Sequence, residues 1–397
     1  MNGRLRTLDA ADPAGKRVLV RADLNVPLKD GRVADATRIE RTAPTIRELA
    51  GKGARVIVIS HFGRPKGKRR PEMSLAPLAP ALAQAIGRPV RFAPDCIGEA
   101  AEQAAAALGD GEVLLLENTR FHAGEETNEP GFAKALAGLA DLYVDDAFSA
   151  AHRAHASTEG VAHLLPAYAG REMAAELAAL ETTLGNPKRP FGAIVGGAKV
   201  STKLEVLGTL CGKVDLLLIG GAMANTFLAA KGIPVGRSLE EPEQHPAALR
   251  ILAEAKVARC AVLLPVDAVV AAELAPGVAT KVVPVEAVPA EMMILDLGPN
   301  SVDAFKTRLG GLRTLVWNGP VGAFETPAFA AGTVALARAV ADATASGLCS
   351  VAGGGDTLAA LNLAQVGQRL TYVSTAGGAF LEWLEGKQLP GVVVLQN

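Results

Sequence analysis

The sequence predicts an α/β protein built as two Rossmann-like three-layer lobes with parallel sheets, joined by a helical hinge. Three observations lead there. Short β-branched runs alternate with Ala/Leu-rich stretches almost throughout the 397 residues. The runs are apolar nearly end to end, as strands are when helices cover both faces of a parallel sheet. The rhythm is interrupted once, near the middle, and a chain of this length exceeds what one core usually serves.

In the first half, Arg17–Arg21, Arg55–Ser60, Glu112–Glu117 and Asp141–Asp145 read as strands, because each gathers Val, Ile, Leu or Tyr into a short run. Between them Thr37–Lys52, Leu75–Ile86, Cys96–Leu108 and Glu129–Leu139 read as helices. The second half repeats the rhythm with strands at Phe191–Val195, Asp215–Ile219, Ala261–Pro265, Met292–Asp296, Arg313–Trp317 and Cys349–Ala352. Its helices include Ser201–Leu210, Ala222–Lys231, Pro242–Lys256 and Pro327–Ser346. The interruption is Arg171–Asn186, where Met173, Leu177, Leu180 and Leu184 recur at helical spacing and Pro187 stops the helix. A helix there suits a hinge, because hinges sit at element ends. The expected organisation is a lobe over residues 1–170, a connecting helix over 171–186, a second lobe over 187–376 and a final segment over 377–397.

Composition excludes several classes. With 49% hydrophobic and 20% charged residues the chain can fill a large core, so a disordered protein is ruled out. Forty Lys plus Arg against forty-one Asp plus Glu leave a formal charge of −1, which excludes a general nucleic-acid or membrane-surface binder. No run of 18 apolar residues is free of charges or breakers, so no membrane span is expected. The basic start is followed by no apolar stretch, so no signal peptide is expected. Cys96, Cys211, Cys260 and Cys349 form no CxxC pair and read as reduced thiols of a cytoplasmic protein. Nothing in the sequence calls for a second copy, so a monomer is the expectation.

The chemistry-bearing residues of the first half cluster just past strand ends, the edge where open parallel sheets bind ligands. Asp23 and Asn25 follow the first strand, His61 and Arg64 the second, Arg120 and His122 the third, His152 and Arg153 the fourth, and Arg38 opens a helix. Any one of these arginines alone is as well explained as a solvated surface residue. Converging, they make a site for a highly charged anion, because the arginine fork binds phosphate and carboxylate through paired hydrogen bonds. The run Lys66–Arg70 reads as a mobile loop beside that site rather than a nucleic-acid patch. His152 and His155 lack a third ligand at metal spacing, so no zinc site is expected there.

The second half places glycines at its strand ends: Gly196-Gly197-Ala198-Lys199 before a helix carrying Lys203, Gly220-Gly221, Asn318-Gly319-Pro320 with Glu325 beyond, and Gly353-Gly354-Gly355-Asp356-Thr357. Glycine admits close backbone approach and a following helix N-terminus offers N–H groups to phosphate. Asp356 in such a setting suits a Mg²⁺ ion bridging phosphates. Each glycine taken singly also serves simply to turn a strand into a helix. No Walker A loop and no G-x-G-x-x-G is present, which argues against those nucleotide sites and against an NAD-dependent dehydrogenase. A hinged, non-catalytic anion binder would leave the second set of loops and lysines without a purpose.

Arg21-Ala22-Asp23-Leu24-Asn25-Val26-Pro27, Ser60-His61-Phe62-Gly63-Arg64-Pro65, Glu117-Asn118-Thr119-Arg120-Phe121-His122, Ala151-His152-Arg153-Ala154-His155, Gly196–Val200, Trp317–Pro320 and Gly353–Thr357 together resemble the phosphoglycerate kinase family, in the family's order over nearly the whole chain. The resemblance implies a first lobe holding 3-phosphoglycerate or 1,3-bisphosphoglycerate, a second holding Mg-ADP or Mg-ATP, and a last segment returning to the first lobe. By position, Asp23, Leu24, Asn25, Arg38, His61, Phe62, Gly63, Arg64, Arg120 and Arg153 would hold phosphoglycerate. Gly197, Lys199, Lys203, Gly221, Asn318, Glu325 and Gly353, Gly354, Gly355, Asp356 and Thr357 would serve the nucleotide, with Asp356 on the metal and Arg38, Lys199 and Lys203 catalytic. The chain departs from the family pattern at Leu24, Ser149, Ala222 and Ala376.

Overall fold

The computed structural model describes residues 4–29 and 31–396. The chain divides into two compact units, Met1–Ala178 with Gln388–Asn397, and Ala179–Lys387. In the first, strands β1 (Arg17–Arg21), β2 (Arg55–Ile59), β3 (Val90–Phe92), β4 (Val113–Leu115), β5 (Leu142–Asp145) and β6 (Ala167–Ala169) lie in the order β3-β4-β2-β1-β5-β6, all parallel. Helices α1 (Thr37–Gly51), α2 (Ala79–Ile86), α3 (Gly98–Ala106), α4 (Ala123–Glu126) and α5 (Pro130–Ala137) lie between them, and α6 (Arg171–Leu180) follows β6. Every residue of β1 beyond Arg17 is buried, which is why its sequence does not alternate. Val18, Val20, Val56 and Val58 pack against Ile39, Ala43, Ile46 and Leu49, an apolar stripe recurring every three or four residues along α1. Full burial of one such side chain contributes roughly 1.5–3 kcal/mol.

In the second unit β7 (Phe191–Val195), β8 (Leu216–Ile219), β9 (Ala261–Leu263), β10 (Asp267–Ala271), β11 (Lys281–Pro284), β12 (Met293–Leu297), β13 (Thr314–Asn318), β14 (Cys349–Gly353) and β15 (Tyr372–Ser374) form two sheets. The larger is parallel, in the order β9-β8-β7-β13-β14-β15. The smaller, β11-β10-β12, is antiparallel. The strand expected at Met292–Asp296 is therefore present but outside the parallel sheet. Its partner β11 carries exposed Lys281, Val282 and Pro284, too short and too polar in setting to stand out by pattern. Helices α7 (Leu204–Cys211), α8 (Gly221–Ala230), α9 (His245–Val257), α10 (Pro299–Leu309), α11 (Ala331–Ala345), α12 (Gly355–Leu363) and α13 (Gly378–Glu385) complete this unit.

α6 continues into one wider, π-helical turn, Glu181–Gly185. α13 packs on α7. The last helix, α14 (Pro390–Val393), belongs to the first unit, where Gly391 N donates to Ala151 O at 2.9 Å and Arg6 N to Leu395 O at 2.9 Å. No helix among the described residues is long and apolar enough to cross a membrane.

Both parallel sheets reverse strand order beside their first strand, at β1/β5 and at β7/β13. A crevice forms at the carboxyl ends of strands where the order reverses. The segments leaving those strands are Ala22–Asn25 and Asp146–Ser149 in one unit, and Gly196–Gly197 and Gly319–Pro320 in the other.

Candidate active site

In the first unit the loop after β1 is pinned by its own polar groups. Asp23 accepts from Asn25 N at 3.1 Å, from Ser149 Oγ at 2.5 Å, and pairs with Arg38 Nη1 at 3.2 Å. The same Arg38 nitrogen donates to Asn25 O at 2.9 Å, so its guanidinium is oriented from below. Ser149, one of the departures from the family pattern, supplies a bond that glycine lacks. Leu24 sends its side chain into the core and its N–H to Ser60 Oγ. Gly63 N donates to Asn25 Oδ1 at 3.0 Å and Gly63 O accepts from Arg120 Nη1 at 3.0 Å. At Gly63 φ is +63°, and an added Cβ would stand 3.0 Å from Met73 Sδ, so glycine is favoured. Phe62 is held through its backbone by both amide atoms of Asn118. Arg64 and Arg153 are exposed at the same sheet edge.

Beneath lies a charge that sequence reading passed over. Arg21 is fully buried (0% exposed) and donates to Ser157 Oγ at 3.0 Å, Ala22 O at 2.6 Å and His61 Nδ1 at 2.8 Å. Arginine only donates, so Nδ1 accepts and the His61 proton sits on Nε2. Burial, then the Arg21 and Arg120 charges, hold His61 well below its ordinary value, so the ring is neutral at physiological pH. Burial, then Arg153, lowers His152 to about 4, and burial, then Arg120, lowers His155 to about 3. Burial, then Arg21, lowers Arg120 to about 10, which still leaves it charged. Glu125, raised by burial and held back by Arg21, accepts from Ser157 N and Oγ at 3.0 and 2.5 Å. A charged residue closing an otherwise apolar strand was the available signal for Arg21.

Two expectations change. His122 does not join this group; its Nε2 meets Asp95 Oδ1 at 2.7 Å. The Lys66–Arg70 loop is tied down rather than free: Gly67 N donates to Arg120 O at 3.2 Å, and Arg69 donates to Pro94 O at 2.9 Å with its guanidinium 5.9 Å from the Phe121 ring centre.

In the second unit three glycine segments interlock. Gly196 N donates to Asn318 O at 3.0 Å, Asn318 Nδ2 to Gly353 O at 2.8 Å, and Gly319 N to Thr357 Oγ1 at 2.7 Å. A Cβ on Gly196 would lie 2.0 Å from Pro320 O, so the close approach of these turns permits no side chain. Lys203 bridges the same turns, donating to Gly196 O at 2.6 Å and Asn318 O at 3.2 Å. It sits in the turn before α7 rather than on the helix. Burial lowers its pKa to about 8, with Asp356 pulling the other way. Lys199 is exposed on the loop whose next turn is fixed by Ser201 N and Oγ on Glu241, at 2.9 and 2.5 Å.

Beside these segments lies a cavity of about 470 Å³ whose lining includes Gly197, Gly221, Glu325 and Asp356 together with Ala222, Leu239, Pro265, Leu274 and Val321. That volume lies in the usual range for small-molecule sites, roughly 300–1,000 Å³. Gly354 (φ +100°) turns the chain into α12, whose first turn carries exposed Asp356. Sequence reading missed Leu239, Pro265 and Leu274, which lie on loops without a motif, and Asn225, which lies inside α8. Ala376 is buried without a left-handed backbone, so its methyl is accommodated.

A family model described as phosphoglycerate kinase matches residues 8–387 of this chain. The chain belongs to the phosphoglycerate kinase family. It is 64% identical over 392 residues to phosphoglycerate kinase of Granulibacter bethesdensis, covering 98% of this chain and 99% of that protein. It is 63% identical to that of Methylobacterium radiotolerans, covering 98% of both. The solved structure of phosphoglycerate kinase from Coxiella burnetii superposes with a TM-score of 0.88 at 43% identity over 99% of each chain. That from Pyrococcus horikoshii gives 0.83 at 31% identity over 98% of each. The two six-stranded parallel sheets are thus the phosphoglycerate kinase architecture.

Proposed function

We propose that the first unit holds the phosphoglycerate and the second the nucleotide in the reversible reaction of 1,3-bisphosphoglycerate and ADP to 3-phosphoglycerate and ATP. The protein is a phosphoglycerate kinase of glycolysis, a phosphotransferase with a carboxyl acceptor. The observation that carries the division is the cavity in the second unit: its lining joins Gly197, Gly221 and Asp356, next to the Gly196 turn that Lys203 binds, for phosphates, to apolar residues suited to a base and ribose.

The acceptor carboxylate carries no proton near pH 7, its ordinary pKa being about 4, so the transfer needs no general base. It needs alignment and cancellation of charge on the transferring group. Asp23 and Asn25 aim Arg38, and neutral His61, fixed by Arg21, offers Nε2–H to the anion beside Arg64, Arg120 and Arg153. Lys203 and the N–H groups opening α12 hold nucleotide phosphates, while Glu325 and Asn318 shape the site and Lys199 joins Arg38 in neutralising the transferring group. These groups come from both units, so in this reading the site is completed by closure about the helix after β6, which also keeps water from the acyl phosphate.

Asp356 fits a Mg²⁺ ion: it is an exposed hard-oxygen donor in the cavity wall, and Mg²⁺ is commonly held by one carboxylate plus substrate phosphates. When bound, Mg²⁺ would screen the phosphate charge. Both residue sets lie on one chain, so this reading needs no second copy to complete the site, and a monomer is part of the proposal.

Thermal shift separates the two sites. Arg64→Ala is expected to abolish stabilisation by 3-phosphoglycerate and to leave that by ADP, and Lys203→Met to do the converse. Loss of both shifts in either variant would contradict the division.

A further inference from the structure

The geometry points to a second metal site, for a thiophilic divalent cation of the zinc class, formed by Asp95, Cys96 and His122. Asp95 and Cys96 lie on the loop leaving β3, and His122 on the turn that follows β4. Those strands are hydrogen-bonded neighbours, with Phe92 opposite Leu115, so the loops leave the same sheet edge side by side. One ligand atom from each of the three side chains lies within 4.8 Å of the others. In a tetrahedral zinc site with bonds of about 2.0–2.3 Å, ligand atoms stand about 3.5 Å apart. His122 Nε2 and Asp95 Oδ1, now 2.7 Å apart, would separate slightly and the sulfur would approach by about an ångström.

The ligands are held before any ion arrives. Asp95 Oδ1 accepts from Cys96 N at 2.7 Å, the His122 ring packs on Phe132 with centroids 5.3 Å apart, and Arg69 fastens the preceding residue through Pro94 O at 2.9 Å. Cys96 is buried while Asp95 and His122 are about one-third exposed, so the site is open on one side, leaving a fourth position for water. Binding replaces the thiol proton, which leaves to solvent as the sulfur–metal bond forms. The imidazole coordinates through Nε2 with its proton on Nδ1. A thiolate and an imidazole prefer Zn²⁺ or Co²⁺ and discriminate against Mg²⁺, so this site would not compete for the nucleotide's ion. His122 is two residues from Arg120 and joins the same turn, so an ion here would clip the segment from which Arg120 projects.

The test uses the full reduced chain and Co²⁺ alone as the probe. One equivalent is expected to give a thiolate-to-cobalt charge-transfer absorption, bleached by one equivalent of Zn²⁺ and unaffected by excess Mg²⁺. Cys96→Ser should remove the band while Cys349→Ser retains it. His122→Gln, at a partly exposed position that does not threaten folding, should retain sulfur ligation but weaken cobalt binding at least about tenfold. Absence of the band in the wild type, its survival in Cys96→Ser, or unchanged affinity in His122→Gln would overturn the assignment.

Discussion

Lys203→Met separates what the ammonium does for folding from what it does for transfer. In the native chain it is half-buried and held to about 8, against an ordinary 10.5. Keeping it charged there costs about 3 kcal/mol. Its removal relieves that cost but leaves Gly196 O without the donor that now stands at 2.6 Å, at about 1–3 kcal/mol for a carbonyl left unpaired, while Asn318 O keeps its bond from Gly196 N at 3.0 Å. The two effects nearly cancel, so the variant should unfold within about 1–2 kcal/mol of wild type near pH 7. Catalysis has no such compensation: in the proposed role the ammonium serves the phosphates, and losing that charge should lower kcat by about two to three orders of magnitude. The folding difference also has a sign in pH. Below about pH 8 the lysine is protonated in both states, and the native state bears the cost. Between about 8 and 10.5 the native form releases its proton while the unfolded form keeps it, so wild type gains stability relative to the variant as pH rises through that window. Denaturant unfolding of both proteins at pH 7 and 9.5, with kcat from a coupled assay, measures all three quantities. A variant that keeps a tenth of wild-type kcat, or a stability difference flat between those pH values, would refute the reasoning.

Arg38→Ala should lower kcat by about two to three orders of magnitude with ADP affinity unchanged by calorimetry, and a tenth of the activity remaining would remove its catalytic role. Arg21→Met should raise KM for phosphoglycerate and lift the His61 titration seen by NMR, since a neighbouring positive charge is gone; an unmoved His61 would contradict the Arg21–His61 contact. Gly221→Ala should weaken ADP binding about tenfold or more, because φ is +67° and the new Cβ would meet Gly197 O at 2.8 Å and Pro320 O at 3.0 Å. Gly208→Ala, with nothing within 4 Å on α7, should bind ADP normally and gain about 0.5–1 kcal/mol in stability.

The strands of both parallel sheets were legible because burial on both faces leaves an unbroken apolar run, and β1 and β7 match their expected limits. The candidate site was legible where a motif sits at a strand end, since each parallel sheet delivers the carboxyl ends of its strands to one edge. What sequence hid has physical causes. Leu239, Pro265 and Leu274 in the cavity wall are ordinary apolar residues on loops, brought to the cavity only by the folded second unit. Arg21 looks like a surface charge until Ser157 and Glu125, more than a hundred residues away, are seen to enclose it. His122 reads as part of an arginine–histidine cluster, yet its ring turns to Asp95 on the neighbouring loop. Pairings of that kind depend on which loops are adjacent, and adjacency is a property of strand order.

The most direct measurement is steady-state turnover by the purified chain supplied with 3-phosphoglycerate, ATP and Mg²⁺, the bisphosphoglycerate being drawn off by a dehydrogenase that oxidises NADH. A rate that requires all three components, and that falls by orders of magnitude in both Arg38→Ala and Lys203→Met, is the result expected of two substrate sites acting on one phosphoryl group. Turnover without 3-phosphoglycerate, or undiminished in either variant, would contradict it.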